Sequence, residues 1–186
     1  MNQLAFPLPR QLIVVSENPP ANGNKPAFAA RAAMLELTAR LAPHGIVRLL
    51  DGGNRFNFYY VARAIRRQTA QLTRALGNIR ISRAFTCYQM ITLLDETPAA
   101  PYPTLVLDLL ATFYDESVPF EESRRLLNSA LNHLRRLSAT APLVVSIRPP
   151  RADYTERLPM LKTMEEAADL LLSPETRPEI PALALF

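Results

Sequence analysis

One cysteine, Cys87, is too few for an intramolecular disulfide and leaves a thiolate-rich metal site without ligands. A reducing compartment, the cytoplasm, is therefore expected. No apolar run approaches the roughly 18 residues that a membrane span needs, so no membrane partner is expected either. The opening MNQLAFPLPRQ lacks a basic leader followed by a long apolar stretch, and nothing in it argues for secretion. Only two histidines occur. His44 sits in a turn beside Pro43 and Gly45, His133 falls in a helical stretch, and neither has a second metal-type residue near it in sequence, which disfavours ligation. Lysine is almost missing: 19 of the 21 positive residues are arginine, whose fork donates two parallel hydrogen bonds to phosphate. The net charge of +4 is modest, however, and a solvated arginine-rich surface explains it as well as nucleic-acid binding does.

What is present is an alternation. At 186 residues the chain fits one domain. Five short apolar runs, at 11–16, 45–51, 78–83, 104–108 and 142–147, are separated by helical patterns at 26–42, 57–76, 84–96 and 119–139. Strand and helix in turn imply crossovers and a mostly parallel sheet covered on both faces, a three-layer α/β/α fold. In the second helix Val61, Ile65, Leu72 and Leu76 form the buried stripe, with Arg63, Arg66, Arg67 and Arg74 largely off it. In the fourth, Phe120, Leu127, Ala130, Leu131, Leu134 and Leu137 face inward, and Pro119 with Glu121 and Glu122 suits a helix start. Arg124, Arg125, Arg135 and Arg136 form its outward ridge, either a solvated face or a contact for an anion or DNA. Residues 1–150 make the core on this reading. Residues 151–186 are an extension packing on it, with a helix at 163–172 and a tail broken by Pro174, Pro178 and Pro181. Its apolar tip, Leu183 to Phe186, is expected to dock on its own domain, with an edge strand or a partner contact as alternatives.

In open parallel sheets ligands bind beyond the carboxyl ends of the strands, where the loops begin at Glu17, Asp51, Arg83, Asp108 and Arg148. The first of these loops has the layout of a phosphate cradle: a strand, a loop with Asn22, Gly23, Asn24 and Lys25, then an alanine-rich helix. Matching GxxxxGK[ST] without gaps places Asn18, Gly23, Asn24 and Lys25 at the four defining positions, so one of them survives. One extra loop residue restores Lys25 as the lysine but leaves Pro26 where a hydroxyl would hold magnesium. An ordinary strand-to-helix loop fits that segment too. Asp108 ends a buried strand, which is how such sites hold a magnesium-bound water, although an aspartate there also serves as a cap. Arg148 and Arg151, flanking Pro149 and Pro150, are further candidates for an anion contact. Cys87 reads as core, and Tyr59, Tyr60 and Tyr88 as packing residues rather than base-stacking ones.

Taken together, LLDGGNRFNFYYVARAIRR, NIRISRAFTCYQMITLL and TLVLDLLATFYDE resemble the core of the RecA/RadA recombinase family of ATPases. In that family a strand ends in an aspartate, a glutamate-containing turn and a phenylalanine. An "arAf…hQ" segment and a Walker B strand follow. The matching residues are Asp51 and Phe56, Arg83, Ala84 and Phe85 with Gln89, and Asp108 with Ala111 to Tyr114, across roughly residues 11–148. The resemblance implies a RecA-like P-loop NTPase fold, with ATP and Mg²⁺ as cofactors if the site is retained and none if it is not. Gly23 and Lys25 would then contact phosphate, and Asp108 would orient the metal through water. Three departures weaken the activity. Gly53 stands where the family has its catalytic glutamate, Ser146 and Arg148 stand where it senses the terminal phosphate, and the loop after the fourth strand, YDESVPFEES, carries carboxylates that would repel DNA.

The expectation is therefore a RecA/RadA-like accessory protein of DNA repair or recombination. Its nucleotide binding would be weak or lost and its hydrolysis absent, and its partners would be DNA or recombination proteins in a homo- or hetero-oligomer. Two alternatives remain: an inactive scaffold for protein–protein interaction without DNA, and a divergent ATPase that borrows catalytic residues from a neighbouring subunit.

Overall fold

A computed structural model describes residues 10–17 and 29–174. The loop 18–28, with Asn22, Gly23, Asn24, Lys25 and Pro26, lies outside the described residues, as does the tail 175–186 with Leu183 to Phe186. Among the described residues six strands form one sheet in the order β3-β2-β4-β5-β1-β6, every neighbouring pair parallel. They are β1 (Leu12–Ser16), β2 (Val47–Asp51), β3 (Ile79–Arg83), β4 (Thr104–Leu107), β5 (Leu143–Ile147) and β6 (Leu170–Leu172). The helices are α1 (Ala29–Leu41), α2 (Phe58–Arg66), α3 (Leu72–Gly77), α4 (Cys87–Glu96), α5 (Phe120–Ser138) and α6 (Leu158–Glu166).

Two apolar clusters explain the layering. Ile13, Val15, Val47, Leu49, Leu105, Leu107 and Val144 point to one face and pack with α1, α2 and α3. Leu12, Val14, Leu50, Val106, Leu143 and Val145 point to the other and pack with α4, α5 and α6. The four central strands are buried along their whole length because helices cover both faces, which is why they read as continuous apolar runs rather than alternating ones. Connections running toward the β3 edge use the first face and those running toward the β6 edge use the second, as a single crossover handedness requires. The fold is a three-layer α/β/α sandwich.

The helix expected over 57–76 is two helices. Arg67 ends α2, the N–H groups of Gln68 and Thr69 both fold back to Ile65 O, and the Thr69 hydroxyl then accepts the Gln71 N–H. A hydroxyl that offers the backbone a competing partner breaks the ladder. The buried stripe survives the break, because Val61, Ile65, Leu72 and Leu76 all pack in the same cluster. The fourth helix follows the expected pattern, although Phe120 and Leu131 are only partly buried.

A helix over 163–172 is also not what forms. Pro159 near the helix start sets α6 at Leu158–Glu166, and Leu170–Leu172 becomes the edge strand β6. Asp169 causes the change. Its carboxylate accepts the Leu12 N–H at 2.7 Å while its own N–H donates to Leu12 O at 2.9 Å, which lays the following leucines along β1. Periodicity within one segment cannot reveal a clamp between residues 157 positions apart in the chain. Among the described residues no helix is long and apolar enough to cross a membrane.

Candidate functional site

β1 and β5 are neighbours, yet the helices that follow them, α1 and α6, cover opposite faces. The chain therefore opens a crevice between their carboxyl ends, the place where open α/β sheets take ligands. A small cavity of about 30 Å³ lies there, lined by Glu17 after β1, Leu107 and Asp108 at the end of β4, and Ser146 and Arg148 at the end of β5. Arg31 of α1 and Arg55 of the β2–α2 turn complete it.

Asp108 is the centre. It takes a left-handed backbone (φ 50°, ψ 50°), which aspartate tolerates better than most side chains, and so turns the chain from β4 into the 3-10 turn Leu109–Thr112. Its N–H donates to the Ser146 hydroxyl at 2.9 Å. Its Oδ2 accepts from Arg148 Nε at 2.7 Å, with Arg55 Nε at 4.0 Å. Its Oδ1 is buried and has no hydrogen-bond partner among the described residues. Glu17 is buried beside it, with Oε1 in the same condition. Burial first and the Asp108 charge second raise its pKa from 4.5 to about 7, against the opposing pull of the Ala29 N–H and Arg148.

These residues do not fit a magnesium site as they stand. Magnesium at such a site keeps several waters, and the strand-end carboxylate must be free to accept from one of them. Here a guanidinium already sits on Asp108 Oδ2. No group of three or more His, Cys, Asp or Glu among the described residues could hold a metal. Asp108 and Arg148, expected to serve a metal and an anion separately, instead satisfy each other. Arg151, the other expected anion contact, does not line the cavity; it precedes the 3-10 turn Ala152–Arg157, and its carbonyl accepts the Tyr154 N–H.

Gly53, at the position of the family's glutamate, is explained by space. A Cβ there would lie 2.6 Å from Asp108 Oδ2 and 2.7 Å from its Cβ, so the close approach of this turn to Asp108 requires glycine. The other residues that carry the family resemblance have structural work. The fully buried Asp51 accepts from the N–H groups of Arg55 (2.9 Å) and Phe56 (3.0 Å) and from Arg83 Nε (3.4 Å), tying the β2–α2 turn to the end of β3. Gln89 accepts the Phe85 N–H at 2.9 Å and Thr86 caps α4.

The loop after β4, read from its charges as unfit for DNA, is clamped. Arg157, only 4% exposed, donates to the carbonyls of Phe113 (2.6 Å) and Val118 (2.7 Å) and to the Ser123 hydroxyl (3.0 Å). Tyr114 donates to Arg148 O, Tyr154 donates to Glu116, and Asp115 caps Ser117, whose hydrogen bonds hold the Asp115 carboxyl below its ordinary pKa. On the α5 ridge, Arg124 and Arg125 pair with Glu121 and Glu122 one turn earlier, and Arg136 donates to the carbonyls of Leu94, Asp95 and Thr97 at the end of α4. Arg135 stays exposed. His133 Nδ1 lies 3.7 Å from Asp95, and Cys87 is a free, buried core residue.

Sequence reasoning missed Glu17, Arg31 and Arg55 as residues lining the cavity and Arg157 as the clamp of the loop after β4. Glu17 carried one available signal, being the first residue beyond a buried strand. The tyrosines are a correction: Tyr59 is 77% and Tyr88 49% exposed, so neither is a core packing residue, and Tyr60, 38% exposed, reaches Glu36 with its hydroxyl. Compared with known proteins, the chain matches no family model and no curated protein.

Proposed function

We propose that this chain is a RecA/RadA-like accessory protein of DNA repair or recombination whose strand-end site has given up hydrolysis. The observation that carries the reading is the Arg148–Asp108 pair. In a phosphoryl-transfer site the strand-end carboxylate serves a metal and a separate group orients water. Here the carboxylate serves an arginine, and the neighbouring turn has room only for Gly53. The all-parallel sheet and the order of the resembling segments support the fold part of the proposal. Phosphate contact through Gly23 and Lys25 would be weak or absent.

A phosphate-release assay with calorimetric titration of ATP, with and without Mg²⁺, tests this. No turnover and no magnesium-dependent gain in affinity are expected. In Arg148→Ala the freed Asp108 should acquire a magnesium-dependent heat. Turnover by the unaltered protein that disappears in Asp108→Ala overturns the reading and leaves the divergent ATPase.

A protein–protein scaffold is the second reading, favoured by the exposed rings of Phe58, Tyr59, Phe85 and Tyr88. It calls for salt-tolerant association with a partner.

A further inference from the structure

Between Asp51 and Asp95 the chain carries seven arginines and no acidic residue, so residues outside 52–94 are net acidic at −3 against +4 for the whole. This stretch is contiguous in space. It builds α2, α3, β3 and most of α4, the β3 edge of the sheet, where among the described residues β3 has a single neighbour and its last four residues are exposed. Six of the seven arginines are exposed, all but Arg55. Four aromatic rings lie at the carboxyl-end rim, where Arg83 ends β3, while Arg63 and Arg66 follow along α2 away from that rim and Arg80 lies early in β3. Phe58 (55% exposed) and Tyr59 open α2; Phe85 (65%) and Tyr88 stand at the opening of α4. Asp51 ties these two helix starts together, because it holds the turn leading to α2 and the Arg83 that leads to α4.

Exposed rings gathered at one rim among charged residues mark an interaction surface. A second copy is a poor occupant, since it would set one arginine-rich surface against another, and charges on an edge strand oppose strand pairing between copies. A polyanion with flat apolar faces suits both features. Duplex bases are already stacked, whereas single-stranded bases are free to lie on aromatic rings while arginines take the phosphates.

We propose that the rim of the β2–β3 edge binds single-stranded nucleic acid, with Phe58, Tyr59, Phe85 and Tyr88 stacking bases and the arginines of α2 and β3 contacting the backbone. The inference rests on the DNA part of the function proposed above and locates its contact surface away from both the Asp108 site and the α5 ridge.

The test is fluorescence anisotropy with labelled oligothymidylate of about 20 nucleotides, longer than one binding module covers, alongside the matching RNA and a duplex. The unaltered protein should bind the single strands, with DNA against RNA telling the source, and should bind the duplex more weakly. Tyr59→Ala/Phe85→Ala should lose at least about tenfold in affinity. Arg63→Ala/Arg66→Ala should weaken binding and flatten its salt dependence. Arg124→Ala/Arg135→Ala on α5 should leave it unchanged. Binding that is unaffected by the ring and α2 variants, or lost with the α5 variant, overturns the surface while sparing the DNA reading. No binding of any oligonucleotide at low salt overturns both. A ring-dependent dimer in sedimentation without nucleic acid also overturns the proposal, making the rim a protein interface.

Discussion

Two halves of the carboxyl end of the sheet use arginine in opposite ways. Over β4 and β5, Arg148 and Arg157 turn inward and spend their donors on Asp108 Oδ2, two carbonyls and a hydroxyl of the same chain. At the β2–β3 edge Arg63, Arg66, Arg67 and Arg80 are exposed and Arg83 reaches the buried Asp51, in a stretch with no carboxylate of its own between Asp51 and Asp95. An arginine-rich composition thus says little about phosphate binding by itself. What decides is whether the fold brings acceptors within about 3 Å of the guanidinium.

The largest expected effect breaks the inward half. Arg157→Ala leaves the carbonyls of Phe113 and Val118 buried without their donors and should cost about 3–5 kcal/mol in urea unfolding. Arg157→Lys should recover little, since one ammonium cannot span acceptors that a fork reaches. Full stability in Arg157→Ala would show that the clamp is dispensable and that the loop after β4 is held by its apolar residues.

A smaller effect sharpens the role of the turn between the halves. Gly53→Ala drives a methyl into Asp108 and should cost about 1–3 kcal/mol by overpacking. Gly52→Ala meets chiefly the flexible end of Met90, at 2.7 Å, and should cost less in the same unfolding experiment. The reverse order would mean that the turn, not Asp108, gives way.

The smallest effect concerns pH. Because the folded-state pKa of Glu17 is raised to about 7 from 4.5, the native state keeps a proton that the unfolded chain has released between those values. Stability should therefore fall as pH rises through that window and recover as pH drops below it. Glu17→Gln should remove this slope, stabilising the protein at pH 8 by on the order of 1–2 kcal/mol and by little at pH 5. Equal effects at both pH values would place the Glu17 carboxyl in contact with water.

Much of the architecture is legible in the sequence. Leu12–Ser16, Val47–Asp51, Thr104–Leu107 and Leu143–Ile147 fall where the apolar runs predicted strands, because a strand covered on both faces must be apolar throughout; the edge strand Ile79–Arg83 also forms where expected, although its last four residues are exposed. The stripes of α2 and α5 were legible for the related reason that a helix records its buried side every 3.6 residues. The gap at Arg67–Gln71 and the turn of Leu170–Leu172 into strand were not, since one depends on a single hydroxyl and the other on Asp169 meeting Leu12. Asp108 was legible as a strand-end carboxylate, but its pairing with Arg148, 40 residues later, was not.

The sequence by itself therefore determined the layers, the strand positions and the concentration of arginine between 52 and 94, because burial and charge are properties each segment carries alone. Only the tertiary structure decided which groups meet. It set Arg148 rather than open space against Asp108, pushed Glu17 toward a neutral-pH titration and left Tyr59 and Phe85 in water. Pairing, pKa and exposure depend on neighbours distant in the chain, and neighbours exist only once the sheet has formed.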